Sequence, residues 1–218
     1  MANNFSQLAR KSKANSPAEK VSKEQTGTPS LEIYKLGDDV LRENAKRISK
    51  VDNSIRNLAK EMLQSMYAAK GIGLAAPQIG IKKELLVIDV NFEDAAADPL
   101  ILINPEITNY GTTLNSYEEG CLSIPGVYLN VVRPSTIKLR FRDEMGRPRK
   151  MKADGLLARC IQHEMDHLNG VLFVDRVTSK EDLNKELIKE GFHQKDVIPI
   201  NCFNYSIKQW LKLQSLAK

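Results

Sequence analysis

The sequence predicts an α+β fold in which antiparallel or mixed sheets pack around a central metal-binding helix. Helical and strand-like segments are mixed without a β-α-β rhythm, and one helical segment contains the run H-E-x-x-H at residues 163–167. With 218 residues, of which 42% are hydrophobic, the chain is long enough to bury a core. These observations indicate one enzyme-sized domain with additional terminal segments.

The first elements are a leader and a helix. Residues 1–30 are rich in Asn, Ser, Lys and Ala, which predicts a flexible basic leader. Apolar residues at helical spacing then predict a helix that begins near Asp52 and ends at Gly71. These apolar residues are Ile55, Leu58, Met62, Leu63 and Met66. The following segment, 71–80, contains several small residues and is read as a loop between a helix and a strand.

Strands follow this loop. Apolar runs predict strands at 85–90, 101–104 and 127–132. Alternation of Ile137, Leu139 and Phe141 then predicts a half-buried strand that turns at Met145-Gly146 into residues 149–152. The segment 118–125, which contains Cys121, is interpreted as turn-like.

The central helix begins after Asp154 and is closed by Asn169-Gly170, because glycine readily takes the left-handed conformation that ends a helix. Its inward stripe consists of Leu157, Cys160, Ile161 and Leu168. His163, Glu164 and His167 lie near this stripe, where an unpaired pair of imidazoles would be costly to bury.

The carboxy-terminal pattern is weaker. The run Thr178-x-x-Glu181 predicts a capping box for a helix through Leu183 and Leu187 that ends at Gly191. A second possible helix is interpreted as a packing or partner-binding face. It would carry Ile207, Trp210, Leu211 and Leu213.

The net charge of +5 is concentrated at the two ends of the chain. Residues 1–30 and 176–218 each carry a net charge of +3, whereas residues 31–175 carry −1. The predicted core therefore has no basic surface for DNA, and the tails are interpreted as solvated segments or as contacts to ribosomal RNA. No apolar run approaches the roughly eighteen residues of a membrane span.

The H-E-x-x-H run places two imidazoles one helical turn apart beside a carboxylate, which is the pattern of a metal site with its own base. A catalytic site needs a third protein ligand. Position 173, where one class of metalloprotease has a third histidine, is Phe173. Two donors stay open: Glu186, as in a thermolysin-like peptidase, and Cys121, which lies 42 residues before His163.

A non-enzymatic alternative is a closed structural metal site. It would use Cys160 as a fourth ligand and would bind a ribosome or RNA through the basic tails. Cys160 lies only one helical turn before His163, which makes this arrangement sterically unfavourable.

Three segments together resemble the signature of the peptide deformylase family. They are Gly71 to Gln78, Glu119 to Ser123 and His163 to His167. The resemblance covers residues 31 to 175, and the stretch 125–128 is more similar to the plastid and cyanobacterial type of this bacterial and organellar family. It implies a catalytic domain over residues 31–191 and a variable tail, possibly helical, over 192–218.

The resemblance implies a metal-dependent hydrolase that removes the formyl group from the formyl-methionine of new polypeptides and releases formate. Cys121, His163 and His167 would be the metal ligands, and a metal-bound water would be the nucleophile. Glu164 would be the general base and acid, and the Gln78 side chain and Leu122 backbone N–H would stabilise the oxyanion.

The resemblance also implies a substrate pocket. Its predicted members are Ile72, Gly73, Tyr117, Glu119, Tyr128, Leu156, Arg159 and Cys160. The family leads us to expect an apolar residue at position 159, so the stem of Arg159 would line the pocket while its head group reaches solvent. Glu119 is also expected to orient the metal-ligand loop, and Asp166 to pair with an arginine such as Arg133.

A thiolate with two imidazoles accepts several divalent metals. The family implies Fe²⁺ as the native ion, with Zn²⁺, Ni²⁺ or Co²⁺ as possible substitutes in a purified protein. The expected partners are a formylated nascent peptide and, through the tails, the ribosome, without DNA or membrane. Three cysteines without paired spacing and no secretory signal favour the cytoplasm over a plastid stroma.

Overall fold

A computed structural model describes residue 23, residues 31–94 and residues 96–200. The predicted leader, apart from Lys23, and the possible helix around Trp210 lie outside the described residues. Three α-helices are present in the described part of the chain: α1 (Asn53–Ala68), α2 (Gly155–Leu168) and α3 (Lys180–Lys189). Seven strands accompany them: β1 (Gly73–Ala75), β2 (Leu85–Ile88), β3 (Leu100–Tyr110), β4 (Leu114–Cys121), β5 (Ile124–Pro134), β6 (Thr136–Arg142) and β7 (Pro148–Asp154).

The strands form two separate antiparallel sheets. Five strands pair in the order β1-β2-β3-β6-β7, and β4 pairs only with β5 as a hairpin. The short strand β1 is therefore an edge of the larger sheet. This architecture confirms the predicted α+β class and the antiparallel sheets around the H-E-x-x-H helix.

Helix α1 forms where its apolar spacing predicts it. The Asp52 carboxylate accepts hydrogen bonds from the backbone N–H groups of Ser54 and Ile55, which satisfies donors at the exposed helix start. The helix ends at Ala68, and Lys70 takes a positive φ of 58° as the chain turns toward β1. The buried face of α1, which includes Met62 and Met66, packs in one cluster with residues of β1 and β2.

Helix α2 lies between the large sheet and the hairpin. One side of it buries Ala158, Ile161 and Leu168 in a cluster with apolar residues of β2, β3, β6 and β7. The predicted ends are confirmed, since Asp154 and Asn169 flank the helix and Gly170 has a φ of +68°. A Cβ at position 170 would lie 2.4 Å from the Arg42 carbonyl oxygen, so glycine is required there for space as well as for conformation.

Three local predictions are wrong. The segment around Gly73 is not a simple loop, because it contains the three-residue strand β1 and a short 3₁₀ helix at Ala76–Ile79. The segment 118–125 is a turn only in part, because Cys121 is the last residue of β4 and the turn consists of residues 122–123. Helix α3 is capped by Ser179, whose hydroxyl accepts from the Asp182 N–H, instead of by Thr178.

Residues 192–200 pack against the rest of the domain. Val197 is buried in a cluster that contains Leu183 and Leu187 of α3. The N–H of Ile200 donates to the Asp175 carbonyl oxygen at 2.9 Å.

No helix in the described ranges has the length and apolar character needed to span a membrane.

Met62→Ala should lower the free energy of unfolding by about 2–5 kcal/mol, because the side chain is fully buried in α1 and its removal leaves a cavity. Gln64→Ala is the matched control on the exposed side of the same helix and should change it by less than about 0.5 kcal/mol. Urea unfolding followed by circular dichroism measures both. Equal effects of the two substitutions would contradict the packing described for α1.

Candidate active site

Two structural elements bring three potential metal ligands together. Cys121 ends β4, and His163 and His167 lie one turn apart on α2. The ligand atoms of these three residues all lie within 4.8 Å of one another, and Cys121 Sγ is 3.3 Å from His167 Nε2. The two histidines are buried and Cys121 is partly buried.

The chemistry of this donor set fits a divalent transition metal. One thiolate and two imidazoles supply three protein ligands, which is the number found in catalytic zinc-type sites that keep a fourth position open. Glu164 lies beside them, and its buried Oε2 has no hydrogen-bond partner in the described part of the chain. Burying a polar atom without a hydrogen-bond partner is costly, so this oxygen indicates that a polar ligand, such as water or substrate, would bind to it.

Glu164 is held in a confined space next to β1. Burial raises the pKa of the Glu164 carboxyl to about 7. A Cβ at position 73 would lie 2.4 Å from Glu164 Oε1 and 2.7 Å from Cys160 Sγ. Gly73 therefore leaves the volume that the carboxylate occupies.

The side chain of Gln78 is fixed by hydrogen bonds at both ends. Its Oε1 accepts from the Ala75 N–H at 2.8 Å. Its Nε2 donates to Ser123 Oγ at 3.2 Å and lies 3.4 Å from Cys121 Sγ. The amide N–H₂ group is consequently directed toward the potential metal ligands, and Leu122 directly follows Cys121, which is one of them.

Glu119 supports His163 from behind. Its Oε2 is 2.9 Å from His163 Nδ1, and Arg133 donates to both of its carboxylate oxygens. Burial opposes ionisation of Glu119, but Arg133 outweighs it and holds the pKa of this carboxyl well below its usual range. The Arg133 guanidinium also donates to Asp166 at 2.7 Å, which confirms the expected pairing of these two residues.

A cavity of about 960 Å³ opens beside these groups. All predicted pocket residues line it, and Tyr117 and Tyr128 are more than half exposed at its edge. Glu119 also reaches the cavity, but its carboxylate oxygens are occupied by two arginines and His163. These contacts place Glu119 where it can orient His163, which is consistent with the expectation that it orients the neighbouring loop.

The expectation for Arg159 is wrong. Its side chain does not reach solvent, because the residue is only 8% exposed. The guanidinium donates to Glu119 Oε1 and to the backbone carbonyl oxygens of Val131 and Asn115. The Arg159 charge is therefore stabilised by polar partners inside the protein and not by solvent.

The alternative ligands lie outside the cluster. Glu186 is on α3 and pairs with Lys189. Cys160 Sγ is directed to the Ile72 carbonyl oxygen at 3.7 Å, and burial raises the pKa of its thiol. Neither residue belongs to the metal-ligand cluster found among the described residues.

Two residues of this site were not found by sequence reasoning. Ser123 holds the Gln78 amide, and Arg176 donates to both oxygens of Asp166. Ser123 lies inside a recognised segment, so its proximity to Cys121 was an available signal. Arg176 lies outside all three segments, and its pairing depends on the fold.

Comparison with known proteins identifies the family of the chain. The model of the polypeptide deformylase family matches residues 30–183. The chain belongs to this family. It is a hydrolase that removes the formyl group from the amino terminus of newly made polypeptides, and its family is one of metalloenzymes.

Relatives of the enzyme include cyanobacterial proteins, as the stretch 125–128 predicted. A peptide deformylase of Prochlorococcus marinus (strain MED4) is 98% identical over 200 residues, which cover 92% of this chain and 100% of the relative. One from Synechococcus sp. (strain CC9605) is 64% identical over 197 residues, covering 90% of this chain and 98% of the relative.

Solved structures share the fold of the enzyme. The crystal structure of a Synechococcus elongatus peptide deformylase in complex with actinonin has a TM-score of 0.83 and 55% identity. It covers 84% of this chain and 100% of that one. The crystal structure of the Thermotoga maritima peptide deformylase has a TM-score of 0.65 and 38% identity. The match covers 68% of this chain and 98% of the Thermotoga chain.

Substitution of any of the three clustered ligands should abolish stoichiometric metal binding, because two protein donors hold a divalent ion poorly. We expect Cys121→Ala, His163→Ala and His167→Ala to lose the bound ion. Cys160→Ala and Glu186→Ala are controls that should keep it. Metal content by plasma mass spectrometry after desalting measures this outcome, and retention by Cys121→Ala with loss in Glu186→Ala would favour the thermolysin-like arrangement.

Proposed function

We propose that Cys121, His163 and His167 hold one divalent ion and that Glu164 is the general base and acid of deformylation. The observation that carries this proposal is the convergence of a thiol, two imidazoles and a buried carboxylate oxygen without a partner. When bound, the ion would lower the pKa of a coordinated water and polarise the formyl carbonyl.

Glu164 would perform both proton transfers. Its Oε2 is free to accept a proton from the attacking water and then to deliver that proton to the departing amine. Burial raises the pKa of this carboxyl in the metal-free site, which makes it a stronger proton acceptor than an exposed glutamate. The same carboxylate would thus carry the proton from the attacking water to the departing amine.

Gln78 and Leu122 would stabilise the negative charge that develops on the formyl oxygen. The hydrogen bond from Ala75 to Gln78 Oε1 fixes which end of the amide faces the site. One N–H of the amide would keep its bond to Ser123, and the other, which faces Cys121 Sγ, would donate to the formyl oxygen. The Leu122 N–H would be the second donor, placed by the hairpin that also supplies Cys121.

Glu119 would fix the tautomer of His163. A carboxylate at Nδ1 favours the N–H on that nitrogen and leaves Nε2 as the metal-binding atom. Because Glu119 stays ionised beside Arg133, the imidazole would be held in one orientation. We assign Glu119 this role in place of substrate contact.

The substrate would lie along β1 in extended form. β1 is an edge strand, and Ile72 and Gly73 line the cavity at this edge. Backbone hydrogen bonds to such an edge bind a peptide largely without regard to its sequence. The methionine side chain would enter the part of the cavity lined by Leu156 and Cys160.

We further propose Fe²⁺ as the native ion, a ribosome-associated substrate and a cytoplasmic location. The thiolate ligand is compatible with Fe²⁺, Zn²⁺, Ni²⁺ and Co²⁺. The basic ends of the chain would strengthen contact with ribosomal RNA where nascent peptides emerge. In this proposal residues 1–30 are a leader, residues 31–191 are the catalytic domain, and residues 192–218 are a tail whose first part packs on α3.

Glu164→Ala should reduce formate release from N-formyl-Met-Ala-Ser by about 10²–10⁴-fold, because it removes the proton acceptor and donor. The assay is run anaerobically with Fe²⁺ or Ni²⁺, and the metal content of the variant is measured in parallel. Full activity of a metal-loaded Glu164→Ala protein would exclude this residue as the base. Absence of release by the metal-loaded parent would overturn the proposed reaction.

Gly73→Ala should lower kcat by about a hundredfold, because the added methyl group would displace the Glu164 carboxylate by a large part of an ångström or more. Metal content should stay the same, since the three ligands do not contact this position directly. Gly191→Ala is the control, because a Cβ there would meet nothing within 4 Å and the residue does not line the cavity. Its φ of +79° is unfavourable for alanine, so this variant should lose some stability and keep the parental kcat. Unchanged kcat in Gly73→Ala would show that the carboxylate position is not critical.

A further inference from the structure

We propose that Arg159 is a positioning residue that holds the two halves of the metal site at their correct separation. This inference rests on the proposed function, because it concerns the ligands Cys121, His163 and His167. It assigns to Arg159 a role different from that of a pocket wall.

The two halves of the site belong to different structural elements, a hairpin and a helix. Cys121 comes from the β4–β5 hairpin, whereas the two histidines come from α2. In the described part of the chain the hairpin has no strand pairing with the five-stranded sheet. Backbone hydrogen bonds join it to β3 and β6 at its open end, where the Gly111 N–H donates to the Thr136 carbonyl oxygen and the Ser135 N–H to the Thr113 carbonyl oxygen. Cys121 lies at the opposite end of the hairpin, beside its turn. The distance between Cys121 and the histidines therefore depends on the contacts that join the hairpin to α2.

Arg159 supplies three such contacts from the helix side. It lies on α2, one turn before His163, and its Nη2 donates to the Asn115 carbonyl oxygen of β4 at 2.7 Å. Its Nη1 donates to the Val131 carbonyl oxygen of β5 at 2.9 Å and to Glu119 Oε1 at 2.7 Å. One side chain thus connects the helix to both hairpin strands.

Arg133 makes the reverse connection. It lies on β5 and donates to Asp166 of α2 and to Glu119 of β4. The two guanidinium groups meet at the Glu119 carboxylate, whose side chain is 4% exposed and which also contacts His163. Because this carboxylate contacts a metal ligand directly, the two arginines fix both the hairpin and the orientation of His163.

The contacts of Arg159 require the planar fork of a guanidinium. Its five donors can reach a carboxylate and two carbonyl oxygens simultaneously, whereas the ammonium of lysine is a single point of charge. The guanidinium carbon also lies 5.6 Å from the centre of the Tyr117 ring at the cavity edge. A separate substitution at Tyr117 can therefore distinguish the pocket from the metal site.

The test compares Co²⁺ binding and visible absorption of the full-length protein and its variants, by competition with a chelator. Arg159→Leu should weaken Co²⁺ binding by at least about tenfold and alter the absorption of the bound ion, as removal of groups behind metal ligands does. Arg159→Lys should give a smaller loss. Arg140→Leu is the matched control, because Arg140 forms an exposed ion pair with Glu106 on the large sheet, and it should bind like the parent.

Tyr117→Leu should keep the Co²⁺ affinity and raise KM for N-formyl-Met-Ala-Ser. Parental affinity and absorption in Arg159→Leu would overturn the inference and leave Arg159 as a packing residue. If Arg159→Leu does not fold by circular dichroism, Arg159→Lys decides, and parental Co²⁺ binding in that variant would equally overturn it. Failure of the metal-loaded parent to release formate would refute the proposed reaction but would leave this metal-binding comparison valid.

Discussion

The site depends on one carboxylate that is buried between positive charges. Glu119 is 6% exposed and accepts hydrogen bonds from Arg133 and Arg159 while contacting His163. Withdrawing such a group from water is expensive, and its hydrogen bonds and attraction to the two guanidinium groups offset that cost. Removal of one partner from a buried pair typically costs about 3–5 kcal/mol, so each member constrains the others.

This constraint explains why the hairpin can be separate from the main sheet and still place a ligand accurately. Backbone hydrogen bonds align β4 with β5, but among the described residues no strand pairing joins the hairpin to the sheet on which α2 packs. Side-chain ion pairs perform that alignment instead. Asp166 extends the arrangement, because it accepts from Arg133 on one side and from Arg176 on the other. Charged side chains outside the cluster thus hold the three potential metal ligands in place.

The parts of the fold that are set by local residues were predictable. The apolar spacing of α1 and α2, the cap at Asp52 and the glycine at position 170 each act within a few residues, and all were recognised. The strand β1 was missed because three buried residues are too few to show a period, and β4 because its residues are mostly exposed. The three residues that cluster as potential metal ligands were recognisable from residue types at fixed positions in two of the three segments. The direction of the Arg159 side chain was not, since its partners Asn115 and Val131 are brought close only by the folded hairpin.

In the proposed binding mode, the shortness of β1 limits how many substrate residues can pair with the enzyme backbone. Three residues of strand span only about 10 Å, so backbone pairing along this edge extends to no more than the first two or three residues of an extended ligand. Beyond that point the substrate chain would leave the sheet edge and would make no further backbone hydrogen bonds to β1. Recognition limited to the first residues would allow the enzyme to process many different polypeptides, provided that they share the same first residue.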